Sequence, residues 1–401
     1  MYFPFYIAKR YLISKKSKNV INIISWISVM SIAVGTMALV VIMSAFNGLE
    51  SLVEGMYSSF DPDIKITIKE GKSFSLAEFP EEKIQAIEGV EYYSKAVEET
   101  VYLEYRNKNC IATVKGVDDA FVAMTRIDSC ITEGKMLLQK DNFNYAVLGY
   151  GISYKLSLFP ENSFEPVKIY AANRNVDFSA INPENAFAKK QVIPAGVFSI
   201  NQDFDTKYIL VPLAFAQELL DYPHTVTSIE IGLSKNADEE KVKEQIKTIL
   251  GEKYIVKTRY ELNELIFKTN KTEKWITYMI LTFILIIAAG NVIGSLTMLI
   301  LEKKKDIFIL SSLGATPNLI RRIFLLEGLL IVGGGGIIGV VVGFLIVVAQ
   351  KHIGLVRLEA SIVEFYPVQL VYTDFFLILF TVLAIGIVAS WLPVKFVIKK
   401  A

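Results

Sequence analysis

Side chains able to do covalent or metal chemistry are few and scattered in this sequence. Two histidines and two cysteines occur in 401 residues. No Cys-x-x-Cys or His-Glu-x-x-His spacing gathers them, so a bound metal is not expected. His224 follows Pro223 in a turn and His352 closes an apolar run, and neither has a visible catalytic partner. There is no Gly-x-Ser-x-Gly elbow and no Gly-x-x-x-x-Gly-Lys-Ser/Thr phosphate cradle. The glycines at 333–336 lie in an apolar stretch with no lysine following, so the chain is not expected to bind ATP by itself. The paired carboxylates Glu81 with Glu82 and Glu239 with Glu240 stand at the starts of predicted helices, where they complement the helix dipole. An enzyme is therefore not expected.

The residues whose spacing suggests work are mechanical. Between Glu302 and Glu327 the sequence reads as two helices joined by a tight turn. Gly314 ends the first, Thr316 and Pro317 start the second, and Ile307 and Leu310 give the first a small apolar face. A short helix pinned between two membrane spans can serve as a lever. A motor domain gripping Asp306, Ile307 and Leu310 would pass its closure into the flanking spans, provided the element has two arrangements that the motor biases. The plainer reading of the same lysines is an interfacial turn with snorkelling side chains.

The elements around this segment follow from composition. The chain is 52% hydrophobic and 21% charged, with a mean hydropathy of +0.41, too apolar for a soluble chain of this length. A formal net charge of +1 gives no nucleic-acid footprint. Four stretches lack any charge: residues 20–49, 275–301, 328–350 and 375–394. Each is long enough to cross about 30 Å of hydrocarbon at about 1.5 Å per residue. The first far exceeds a signal-peptide core, so an uncleaved anchor is expected. Lys9, Arg10, Lys15, Lys16 and Lys18 precede it. Lys303, Lys304, Lys305, Arg321 and Arg322 lie between the second and third spans, and Lys395, Lys399 and Lys400 follow the fourth. The loop at 351–374 carries Lys351 and Arg357 against Glu359, Glu364 and Asp374, so both termini are expected in the cytoplasm. The expected organisation is an interfacial or helical segment over 1–19, an external domain over 50–274, a cytoplasmic coupling segment over 302–327 and a tail over 395–401.

The spans contain no ionisable group; their strongest polar residue is Asn291, between Gly290 and Gly294, expected to make an interhelical hydrogen bond. Gly335, Gly339 and Gly343 recur every four residues and let helices approach closely, and Ser31 with Gly35 is a weaker pair. Any directed work must be powered from outside the chain.

In the external segment, residues 63–68 alternate like a strand, 81–87 form a short amphipathic helix, Gly89 ends it, and 90–106 return to extended character. The pattern recurs with a strand at 228–233, a helix carrying Val242, Ile246, Ile249 and Leu250, then Gly251 and a strand at 254–258. Two β-α-β units imply a ferredoxin-like sheet. Short strand-like pieces and turn formers such as Pro160, Asn173, Asn182, Pro183 and Pro194 mark an inserted β-rich subdomain over about 131–208, and a helix at 214–220 rejoins the sheet. Cys110 and Cys130 are too few to specify a disulfide; otherwise they are small core residues.

The segment with Glu302, Lys303, Asp306-Ile307, Leu310, Leu313-Gly314-Ala315 and Ile320-Arg321-Arg322 resembles the coupling segment of FtsX/MacB-type ABC permeases. Residues 25–50, SWISVMSIAVGTMALVVIMSAFNGLE, with Ala-Lys-Arg-Tyr at 8–11, resemble the lipoprotein-releasing permeases of the LolC/LolE family. The resemblance covers nearly the whole chain and is weak over 131–208. It implies a membrane protein with four transmembrane helices and a large α+β periplasmic domain between the first two. It also implies a non-catalytic permease of the bacterial inner membrane that, with a second permease copy or paralogue, extracts lipoprotein cargo. A LolD-like ATPase would hold the ATP and magnesium, and a LolA-like periplasmic carrier would receive the product. Acyl chains would enter between spans one and two of the paired subunits. Met37, Val40, Val41, Met43, Ser44 and Phe46, in the outer half of the long span one, are the residues offered as an alkyl-binding wall, although helix packing uses the same types. Two competing functions share this architecture: an FtsX-like regulator of a cell-wall hydrolase, against which span one speaks, and a MacB-like efflux permease. The latter usually carries an N-terminal ATPase, which is not expected here with Met1 so near the basic flank. Two departures stand out: there is no longer basic tail after Pro393, and the insert lacks a clear match to the carrier-recruiting hairpin.

Overall fold

A computed structural model describes residues 3–13, 19–160, 165–173, 187–358 and 364–397. Asn182, Pro183, Lys15, Lys16, Lys18, Glu359, Lys399 and Lys400, used above, lie outside the described residues. The chain divides into a unit of residues 1–52 with 266–401 and a unit of residues 53–265.

Four helices of the first unit are long and apolar enough to cross a membrane. They belong to the helices Asn19–Ser58, Glu264–Glu302, Pro317–Ile353 and Tyr372–Val397, here called spans one to four. Spans one and two run several turns beyond their charge-free stretches, because Glu50, Glu54 and the 264–274 run interrupt hydropathy without breaking helix propensity. The compact outer unit is accordingly shorter than the 50–274 expected.

A glycine seam joins span three to span one. A methyl added at Gly335 would lie 2.7 Å from the Val29 carbonyl oxygen, and one at Gly339 would lie 2.5 Å from that of Ala33. Only residues without a side chain permit this approach. Gly386 lies as closely against Val332, joining spans three and four. Ile32, Leu39, Leu285, Val292, Leu296, Ile331 and Val382 fill the space between the helices. Spans one and two are bridged by polar groups: the Ser28 hydroxyl donates to the Asn291 carbonyl at 3.0 Å, and the Asn291 amide donates to Ser31 Oγ at 3.1 Å.

The second unit holds the strands β1 (Ile64–Ile68), β2 (Phe74–Ser75), β3 (Val90–Tyr105), β4 (Lys108–Val117), β5 (Ile131–Gly134), β6 (Gln139–Lys140) and β7 (Phe143–Gly149). They are followed by β8 (Val167–Ala172), β9 (Phe187–Phe198), β10 (Tyr208–Pro212), β11 (Thr225–Val226), β12 (Ser228–Leu233) and β13 (Tyr254–Thr258). β13, β1, β12 and β3 lie side by side in that order, all antiparallel, as two interleaved β-α-β units require. Ile84 of the helix Glu81–Gln85 and Val242 and Ile246 of Glu239–Leu250 pack on one face with Ile66, Ile229 and Ile231.

The β-rich insert is not a separate sheet. From β3 the pairing runs through β4, β10, β7, β9 and β8 and returns to β3, where Leu103 faces Ile169, so six strands close a small ring. Closure removes the open edges a six-strand sheet would present. Long β3 serves both parts: its start pairs with β12 and its end with β8. Both cysteines are free and half-buried.

Candidate functional site

The turn after span two is built by local sequence. Lys303 breaks the helix and precedes the nine-residue helix Lys304–Ser312. Gly314 adopts φ +92°, and the Thr316 hydroxyl accepts from the Leu319 amide at 3.3 Å to start span three, with Pro317 in its first turn. Ile307 and Ala315 pack inward against Leu299, Ile300, Ile320, Phe324 and Val394. Ile307, expected as an outward grip, is therefore an anchor, and Leu310 is half-buried. The apolar groups offered outward are Phe308, 73% exposed, and Leu313, 79% exposed, with Ile309 beside them. Glu302, Lys304 and Lys305 ring this patch with charge, and Lys303 pairs with Asp306 at 3.4 Å. Such a patch is suited to docking a protein surface.

Of the six residues proposed as an alkyl-binding wall, three are closed off within the unit and three stay partly exposed. Val40, Met43 and Ser44 are buried inside the unit, Val40 lying over Gly343, while the Ser44 carbonyl accepts from the Gln369 amide at 2.9 Å. Met37, Val41 and Phe46 are half-buried. The exposed apolar row of span one is on its other half: Ile23, Trp26, Ile27, Met30 and Val34, which line a shallow groove with Ser31. Span two presents Met279, Ile280, Phe283 and Ile287. Among the described residues, nothing lies within 4 Å of a methyl added at Gly290 or Gly294. Of the six packing residues named from sequence, Gly335, Gly339 and Gly343 thus pack within the chain, Asn291 makes the bridge to Ser31, and Gly290 with Gly294 does neither.

Three polar groupings escaped the sequence reading. At the outer ends of the spans, the Asn47 amide donates to Asp374 at 2.7 Å and Lys274 donates to the Asn47 carbonyl at 2.5 Å, tying spans one, two and four. Glu327 of span three, one residue before a charge-free stretch, is fully buried, and neither carboxylate oxygen has a hydrogen-bond partner among the described residues. In the outer unit, Lys65, Glu230, Glu98 and Lys115 come from the four adjacent strands β1, β12, β3 and β4, and the two tightest pairs each reach past one strand: Lys65–Glu98 at 2.7 Å and Lys115–Glu230 at 2.9 Å. Lys115 is also sandwiched by the rings of Phe60 and Phe121 at 4.7 and 4.5 Å. Burial pushes the Glu98 carboxyl up, but the two ammonium groups outweigh it and hold it down at about 2.

The MacB-like periplasmic core domain family matches residues 25–249, and the FtsX-like permease C-terminal family matches residues 278–401. The lipoprotein-releasing system transmembrane protein LolE of Haemophilus influenzae is 25% identical over 97% of this chain and 95% of its own length. The corresponding LolC of Buchnera aphidicola from Schizaphis graminum is 24% identical over 100% of this chain and 98% of its own. The periplasmic region of MacB from Actinobacillus actinomycetemcomitans aligns at 13% identity and a TM-score of 0.36, covering 54% of this chain and 97% of that one. Because the periplasmic core family alone matches more than half of a four-span chain whose remainder matches the permease family, this protein belongs to the FtsX/MacB-type ABC permeases and is of the LolC/LolE type.

Proposed function

We propose that the chain is the membrane subunit of an ATP-driven complex that lifts lipoproteins out of the bacterial inner membrane and hands them to a periplasmic carrier. The observation that carries this reading is likeness over nearly the full length to relatives named for lipoprotein release. The exposed row of Trp26, Ile27, Met30 and Val34 beside span two supplies an apolar surface that acyl chains would follow, and it replaces the outer-half wall suggested by sequence. Phe308, Ile309 and Leu313 form the docking surface for a separate ATPase, which holds the ATP and magnesium. Asp306, Leu310, Gly314 and Ala315 shape the lever behind them. A second permease copy or paralogue covers Gly290 and Gly294, and both termini lie in the cytoplasm, in keeping with the positive flanks.

The test is purification from native membranes with crosslinking and mass spectrometry. A co-purifying ABC ATPase, a second permease and an acylated protein displaced by ATP are the expected result. An ATPase accompanied by a cell-wall hydrolase, or by an efflux adaptor with no acylated cargo, overturns it.

A further inference from the structure

Span three does not simply run out into solvent at its outer end. Its last residue, Ile353, is followed by Gly354 in the left-handed region at φ +68°, whose amide donates to the Gln350 carbonyl at 3.0 Å. The chain then turns back on itself. The Tyr366 amide donates to the Val356 carbonyl and the Leu358 amide to the Glu364 carbonyl, both at 3.0 Å, and Arg357 bridges to Phe365. The buried side chain of Gln350 holds this hairpin to the helix. Its carbonyl accepts from the Val356 amide at 2.8 Å, and its amide group donates to the Val356 and Tyr366 carbonyls at 3.1 and 3.0 Å.

Those bonds set the depth of the hairpin. Gln350 is the last residue of the charge-free stretch 328–350, so the Val356 backbone beside it lies level with the end of the hydrocarbon-spanning segment. The returning strand lies along span one within its own charge-free stretch, 20–49. There the Gln369 amide donates to the Ser44 carbonyl at 2.9 Å, and a methyl added at Gly48 would lie 2.3 Å from the Pro367 carbonyl oxygen. Irregular backbone at membrane depth is costly unless the protein itself satisfies its polar groups. Gln350 supplies that satisfaction with both donors and its acceptor.

The side chains the hairpin turns outward are apolar. Ile353, Leu355 and Val356 are 68%, 60% and 56% exposed. Ile353 lies about three turns beyond the exposed Val342, on the same side of span three, so the tip continues a lipid-facing row. Lys351 and Arg357, both exposed, flank the tip. Apolar side chains bracketed by cations at the end of a span match the border between acyl chains and phosphates.

We propose that residues 351–357 form a membrane-seated foot: Ile353, Leu355 and Val356 enter the leaflet remote from the coupling turn, and Lys351 and Arg357 lie among its phosphates. The partner of this surface is the bilayer itself.

The test uses the full chain with Trp26, Trp275 and Trp391 replaced by phenylalanine, reconstituted in vesicles of phosphatidylethanolamine and phosphatidylglycerol. Tryptophan then replaces Leu355 or, in a second variant, Ile353; both sites are exposed, so the larger ring has room. Phe344→Trp, on the exposed face of span three, and Ile111→Trp, 70% exposed in the outer unit, are the references. Leu355→Trp and Ile353→Trp emit at shorter wavelength than Ile111→Trp and are quenched most by lipid brominated close to the headgroup. Phe344→Trp is quenched most by lipid brominated further along the chain. Emission like that of Ile111→Trp, with no quenching by either lipid, overturns the proposal, because the tip then stands in water. Short-wavelength emission without bromine quenching overturns it too, because a protein chain then covers the tip.

Discussion

Glu98 shows how the covering of a strand face changes the meaning of its residues. Along β1, β3, β4 and β12 the pattern alternates, and Lys65, Glu98, Lys115 and Glu230 occupy the side away from Ile66, Val97, Val114 and Ile231. By pattern alone such a side meets water. Here Phe60, from a segment distant in sequence, and Phe121, from the helix that follows β4, close over Lys115, and Glu230 is fully buried. Because the Glu98 carboxyl is held down at about 2, below the ordinary value of about 4.3, its ionised form stabilises the folded state. That contribution is complete above the unfolded value and is lost as pH falls from about 4.5 towards 2. Urea midpoints of the purified chain between pH 6 and pH 3 are expected to fall, and the fall should be shallower in Glu98→Gln. An equal slope in both proteins would show that the two lysines do not hold this carboxyl. Glu327 was missed for a related reason: a single acid bordering an apolar run reads as the end of a span, and only the packed helices reveal its burial.

At the scale of elements, periodicity located what is local and lost what depends on partners. The four apolar runs, both β-α-β units and the turn at Gly314 each follow from residues close in sequence. The ring closed by β3 and β8 does not, since its register is set by strands more than sixty residues apart. Glycine spacing was equally ambiguous: the Gly290–Gly294 pair and the Gly335–Gly339–Gly343 series look alike in sequence, yet only the latter meets a helix of this chain. Gly339→Leu, which would drive a side chain into the Ala33 carbonyl and Thr36, should cost more than about 3 kcal/mol and lower the yield of monodisperse protein. Gly290→Leu should leave the thermal midpoint of the isolated chain unchanged, because nothing lies within 4 Å. The same substitution should weaken assembly with a second permease if that face is where the subunits meet. Equal thermal loss from both would mean that the two glycine sets have the same environment, and the distinction drawn from the packing would fall.

For the whole molecule, the direction of insertion decides whether the lever faces a motor at all. Loop charge is the basis for the expected orientation: five basic residues at 303–305 and 321–322 flank the turn at Gly314, while the 351–374 loop is acidic in balance. Structure adds positions where a probe reports cleanly, since Leu313 is 79% exposed and Tyr372, at the start of span four, is 83% exposed. With Cys110 and Cys130 replaced by serine, Leu313→Cys should react with a membrane-impermeant maleimide only after the inner face is opened. Tyr372→Cys should react in intact spheroplasts. The reverse pattern would place Phe308, Ile309 and Leu313 in a compartment without ATP. In that orientation no ATPase could grip the turn. The stability arguments for Glu98 and Gly339 would stand unchanged, because they depend on packing within each unit and not on which side of the membrane either one faces.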